Sequence, residues 1–211
     1  MSAPSPLRGP GPVPHLPHLP GPGRWRLVPG ASRAGFRVRD KLVTAVEGTM
    51  PVLGGTVTVD DGGAVVRAVV RVDATAVSTG NERRDRELGR PRFLSTGAHP
   101  VVEVRTTTTA AIASSTGQDD GQDDVSTGHV HAHAVVLARG ASAPVELTAT
   151  LQPPPAAVPH GVRVRVRGRL DRRPLGIAAP TVLVGRFLDL EADLVLEPDA
   201  DGPPRSGAGA P

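Results

Sequence analysis

Along most of this chain apolar and polar residues alternate with a period of two. The clearest stretch, Val162 to Leu170, reads VRVRVRGRL. Val162, Val164, Val166, Gly168 and Leu170 share one face, and Arg163, Arg165, Arg167 and Arg169 share the other. Successive side chains of a strand point to opposite faces, so this spacing predicts a strand with one face buried and one in water. Val182 to Leu196 repeats the pattern, with Val184, Leu188, Leu190, Ala192 and Leu194 opposed to Asp189, Glu191 and Asp193. Shorter alternations run through Phe36 and Val38, Ala64 to Val72 with Arg67 and Arg71 outward, Val102 and Val104, Val130 to Val136, and Val145 to Leu151. With a pair of strands on either side of Gly54-Gly55, about eight strands are predicted, separated by turn residues.

One segment breaks the period. Asn81 to Gly89, NERRDRELG, is charged and helix-compatible. Thr79 or Asn81 suits its N-cap, Glu82 its first turn, and Gly89 before Arg90-Pro91 its end. The architecture expected is all-β, an antiparallel barrel or sandwich with one short inserted helix.

Three segments read as unstructured. Residues 1–23 are dense in proline, which removes backbone donors and fixes φ, so they predict a polyproline-like arm. Residues 197–211 predict a disordered tail, leaving 24–196 as the folded domain. Ser114 to Gly128, SSTGQDDGQDDVSTG, predicts a long exposed loop; its acidic core lacks the spacing and closing Glu of a calcium loop.

Composition narrows the function. The 211 residues include 25 glycines and 23 prolines, close to twice the share of an average globular chain, about 12 %. There is no cysteine, which excludes disulfides, thiol nucleophiles and cysteine-based metal centres. No apolar run reaches the roughly 18 residues of a membrane-spanning helix. The N-terminus lacks the apolar core of a secretory signal, so a cytoplasmic protein is expected. The net charge is only +3. The isoelectric point near 10.7 reflects arginine, since Lys41 is the only lysine, and does not argue for nucleic acid.

The candidate chemistry is sparse. His129, His131 and His133 share one strand face, and two histidines at i and i+2 can chelate zinc. Val130, Ala132 and Ala134 are the apolar face, however, so the histidines point outward with no third ligand in view, and no metal or cofactor is expected. Arg163, Arg165, Arg167 and Arg169 form a basic stripe without the interleaved aromatics of nucleic-acid platforms. Cross-strand pairing with Asp189, Glu191 and Asp193 is its plainer explanation. No nucleophile elbow, phosphate loop or dinucleotide fingerprint occurs, so an enzyme is not expected.

Trp25, Leu27, Pro29, Ser32, Phe36 and Val38, followed by Val46 and Gly48 and by Gly54-Gly55, stand in an order that resembles the opening of the YceI-like family of polyisoprenoid-binding proteins. Ser78-Thr79-Gly80, Arg84-Asp85, Leu88, Phe93 and His99-Pro100 match its most specific block. Arg139-Gly140 with Pro144-Val145, and Asp171-Arg172-Arg173-Pro174-Leu175-Gly176-Ile177, complete the set over residues 24 to 196. The chain departs from the pattern at Asp40, Met50, Ala134 and Leu175, where the family carries His, Phe, Gly and Phe.

The resemblance implies an eight-stranded antiparallel lipocalin-like barrel whose apolar tunnel binds, sequesters or transports a polyisoprenoid or isoprenoid quinone. It implies no catalysis and no nucleic-acid partner. Transient contact with a membrane and a homodimer are compatible with it. Phe36, Val38, Val46, Leu88 and Phe93 are then the expected ligand contacts; otherwise they simply fill a core. Arg84 and Asp85 on the helix, and Asp171 and Arg172 on the late turn, are expected to pair across one mouth, orienting a head group or pinning helix to barrel. The alternative function is a solid barrel whose arginine stripe or proline-rich arm docks a protein or an anionic surface.

Overall fold

A computed structural model describes residues 21–40, 45–108, 112–115, 127–177 and 184–199. Most of the proline-rich arm, most of the Asp-rich loop and most of the C-terminal tail lie outside them. The strands are β1 (Gly23–Leu27), β2 (Arg33–Asp40), β3 (Ala45–Met50), β4 (Val52–Val59), β5 (Val65–Asp73), β6 (Val101–Thr106), β7 (Ile112–Ser115), β8 (Thr127–Ala138), β9 (Ala141–Gln152), β10 (Val162–Asp171) and β11 (Val184–Pro198), with the helix α1 (Glu82–Leu88) between β5 and β6.

These segments make eight staves. β1 and β2 both pair with the long β11 and are halves of one stave, interrupted by a 3-10 turn at Pro29–Ala31. β3 and β4 pair with β2 and β1 respectively and are split at Pro51. β6 and β7 both pair with β8. Every pairing is antiparallel, and the contact of β1 with β11 closes the sheet on itself. Closure removes the exposed sheet edges that alternating sequences otherwise present.

The splice between β1 and β2 has a visible cause. Pro29 fixes the φ that starts the turn. Ser32, only 8 % exposed, donates from Oγ to Val28 O at 2.8 Å and accepts from Val195 N at 3.0 Å. The chain thereby steps sideways without leaving β11. Trp25 and Leu27 point inward just before the step and are buried with Val59, Val162 and Leu196.

One expectation is corrected. Gly54-Gly55 does not separate two strands; it lies inside β4, and the break is at Pro51. Gly54 has φ +145° at a register shift between Val52 and Gly54, a bulge conformation open to glycine. A Cβ on Gly55 would stand 2.1 Å from Val69 O, so the neighbouring strand passes where any side chain would be.

The helix is capped by Asn81, whose Oδ1 accepts from Arg84 N at 3.0 Å, and it stops at Gly89. No helix among the described residues is long and apolar enough to cross a membrane.

Candidate functional site

Inward positions of the staves come from the alternating face. On β8 these are Val130, Ala132, Ala134, Val136 and Ala138, and on β9 Ala143, Val145, Leu147, Ala149 and Leu151. Many are alanine or valine, and small side chains do not meet in the middle of a barrel this wide. They leave a tunnel of about 370 Å³. One end is floored by the buried cluster of Trp25, Leu27, Val59, Val162 and Leu196. The other end, toward α1, is bounded by Leu88, Phe93, Leu94, Leu175 and Ile177.

Phe36, Val38, Val46, Leu88 and Phe93 all line this tunnel, as do Arg84 and Arg172. Phe36 lies across Gly48 of the neighbouring strand; a Cβ there would stand 2.4 Å from the ring's Cζ. The glycine of that motif is therefore the seat of the aromatic ring.

The expected pairing of Arg84 with Asp171 across the mouth does not form. Asp171 instead meets Arg186 of β11 at 2.5 Å and accepts from Arg173 N at 3.0 Å, because those donors face it at the strand end. Asp85 accepts from both Thr79 N at 2.9 Å and Thr79 Oγ1 at 2.5 Å. Thr79, expected as a possible helix cap, instead joins the two neighbouring charges. It accepts from Arg84 Nε at 2.7 Å while it donates to Asp85. Arg84 Nη2 also donates to Thr79 O at 3.0 Å. Arg172, 3 % exposed, donates from Nε to Gly185 O at 2.9 Å and from Nη1 to Ile177 O. Burial lowers its pKa, but a guanidinium stays charged throughout the accessible range. The Arg186 guanidinium beside Asp171, aided by Arg173 N, holds that carboxyl below its ordinary value.

Sequence reasoning missed part of the lining, Leu94, Thr106 and Ile177, and reached Leu175 only as a departure from the family pattern. Thr106 follows the period-two signal of β6. Leu94, Leu175 and Ile177 sit in irregular segments where no period exists to read. The rim has one further tie. Arg139, in the β8–β9 turn, donates from Nη2 to Pro91 O at 2.7 Å and from Nη1 to Gly176 O, joining the segment after α1 to the segment after β10.

The outer surface is less eventful. A larger concavity, about 1140 Å³, draws chiefly on outward positions such as Arg33, Arg37, Glu47, Glu146, Arg167 and Asp189. Two of its arginines are paired, Arg37 with Glu47 at 3.7 Å and Arg167 with Glu191 at 3.4 Å. Arg163 and Arg165 both meet Asp193, at 3.5 and 3.8 Å, and Arg169 lies 4.5 Å over the Phe187 ring. The basic stripe is thus largely neutralised by β11. His131 and His133 are exposed; His131 and His129 have Nδ1 3.4 Å from Thr148 and Thr150 Oγ1. Among the described residues no group of three or more His, Asp or Glu could hold a metal ion.

The family model for the YceI-like domain matches residues 25–196. The fold is also that of solved structures. A polyisoprenoid binding domain from Saccharophagus degradans superposes with a TM-score of 0.61 at 15 % identity, covering 83 % of this chain and 98 % of that one. BcnA of Burkholderia cenocepacia gives 0.54 at 11 % identity, covering 80 % and 98 %. The YCEI protein of Campylobacter jejuni gives 0.54 at 14 %, covering 76 % and 90 %. No curated protein matches the chain.

Proposed function

The chain belongs to the YceI-like family, and from that premise we propose that it is a non-catalytic carrier that binds a polyisoprenoid or isoprenoid-quinone lipid inside its barrel. The observation that carries the reading is the tunnel. Among the described residues its lining offers only Arg84, Thr106, Arg172 and Glu191 as polar side-chain types. Water needs two to four polar partners to settle in a cavity, and most of this surface provides none. A hydrocarbon chain loses its own contact with water there, gaining about 0.8 kcal/mol per CH₂. The similarity to a polyisoprenoid binding domain supports the same ligand class.

Catalysis has little support in the lining. Among the described residues it holds no histidine, serine or cysteine, and the one carboxylate among them, Glu191, is an outward residue of β11 that faces Arg167. The filled-scaffold alternative is disfavoured by the void itself and by the pairing of the arginine stripe.

Ala132→Trp tests the reading. Ala132 lines the middle of the tunnel. In a hollow barrel the indole occupies empty space, so folding is retained while uptake of an isoprenoid lipid that the unaltered protein binds falls at least about tenfold. In a filled barrel the same change overpacks the core and destabilises it by about 1–3 kcal/mol. Retained folding with undiminished uptake contradicts the proposal.

A further inference from the structure

Resting on that lipid-binding reading, we propose that the tunnel selects an apolar chain of about fifteen carbons that carries an anionic head met by Arg84 at the mouth. The length follows from volume. A dry apolar cavity of about 150 Å³ holds benzene, which is roughly 25 Å³ per carbon. The tunnel's volume of about 370 Å³ then holds about fifteen carbons, the size of three isoprene units or of a common fatty chain. A forty-carbon polyprenyl chain needs on the order of 1,000 Å³ by the same measure.

Direction follows from the two ends. Trp25, Leu27, Val59, Val162 and Leu196 are all 8 % exposed or less and close the floor. Among the described residues the tunnel-lining cations, Arg84 and Arg172, lie at the opposite end. A lipid therefore enters tail first and leaves its head beside α1.

The head's charge follows from Arg84. Its Nε and Nη2 are held by Thr79, which fixes the guanidinium plane. The adjacent carboxylate of Asp85 is engaged by Thr79 N and Oγ1. No carboxylate among the described residues forms an ion pair with Arg84, and its Nη1 makes no hydrogen bond to them. Arg172 adds a second positive charge, fixed by the carbonyls of Gly185 and Ile177. Two oriented guanidinium groups against a low-dielectric wall favour a phosphate or carboxylate over a neutral alcohol. A chain much longer than the tunnel cannot be fully buried and also seat its head on Arg84, so length and head group are selected together.

The test is a binding series on the full chain with farnesyl phosphate, farnesol, palmitate and a forty-carbon polyprenyl phosphate. Farnesyl phosphate, palmitate or both are expected to bind at one per chain, at least about tenfold tighter than farnesol and than the long phosphate. Whichever of the two binds tighter assigns the head as phosphate or carboxylate. Arg84→Gln is expected to remove about a factor of ten from the anionic ligands and to leave farnesol unchanged. Arg84→Lys should restore part of it. If Arg84→Gln does not fold, the comparison of farnesyl phosphate with farnesol on the unaltered protein decides the head group. Equal or tighter binding of the long phosphate overturns the length assignment while leaving the lipid-carrier reading intact. Equal binding of farnesol and farnesyl phosphate overturns the anionic head. Binding of none of the four overturns the carrier reading as well.

Discussion

The hydroxyl of Ser32 bridges Val28 O and Val195 N at 2.8 and 3.0 Å across the splice between β1 and β2. Ser32→Ala leaves the Val195 N–H unpaired, while Val28 O keeps only its bond from Ala31 N at 3.2 Å, and is expected to cost about 1–3 kcal/mol, read as a lower urea midpoint with an unchanged slope. Arg139 is a different case. It has φ +56° and Gly140 φ +73°, the pair of positive values that a tight two-residue hairpin requires. An arginine there is strained, and its guanidinium ties Pro91 O to Gly176 O. Arg139→Gly is therefore expected to change global stability little, because strain is relieved as hydrogen bonds are lost, while amide exchange quickens in residues 82–94. Unchanged exchange there contradicts the rim tie. Acid behaviour also belongs to single residues. Hydrogen bonds from Arg71 and Arg105 hold Glu103 below its ordinary value, Thr75 does the same for Asp73, and Arg186 for Asp171. Each carboxylate is lower in the folded chain, so its contribution is complete above the unfolded value of about 4 and disappears as pH falls through the folded one. Melting temperature should fall below about pH 4, and Glu103→Gln should flatten that fall.

At the scale of elements, alternation exposed most of the staves because each has one wet face. Arg163 to Arg169 opposite Asp189 to Asp193 is the strongest case, and the register of β10 on β11 places those charges side by side. Alternation cannot show that β1 and β2 are halves of one stave, since the evidence for it is their shared partner, β11. Nor did it distinguish a turn at Gly54-Gly55 from a bulge, because glycine suits both; only the carbonyl of Val69, on the next strand, decides. Gly55→Ala is accordingly expected to destabilise the barrel by about 3 kcal/mol or more. For α1 the sequence left two caps open, and the geometry selects Asn81. Asn81→Ala should cost about 1 kcal/mol, seen as faster amide exchange in α1 before any change in the strands.

For the molecule as a whole, the decisive quantity is the space it leaves empty. At about 24 cal/mol per Å³, a void of 370 Å³ costs on the order of 9 kcal/mol. That is comparable with the entire stability of a domain, so a chain that keeps such a void gains most when something apolar fills it. Much of the apolar lining was legible in the sequence as the apolar face of the alternating stretches, Val130 and Ala132 among them. The volume was not, because it depends on how eight staves are spaced. The charged mouth was only half legible. Arg84 and Arg172 reach the tunnel, whereas Asp85 and Asp171 are taken by Thr79 and Arg186, which no spacing rule reveals. On this reading the barrel houses a lipid, and native mass spectrometry of the protein purified without detergent, paired with organic extraction, decides the matter. The prediction is one lipid per chain, or uptake of one added lipid per chain. A mass equal to the bare chain that no added isoprenoid or fatty ligand changes would contradict it.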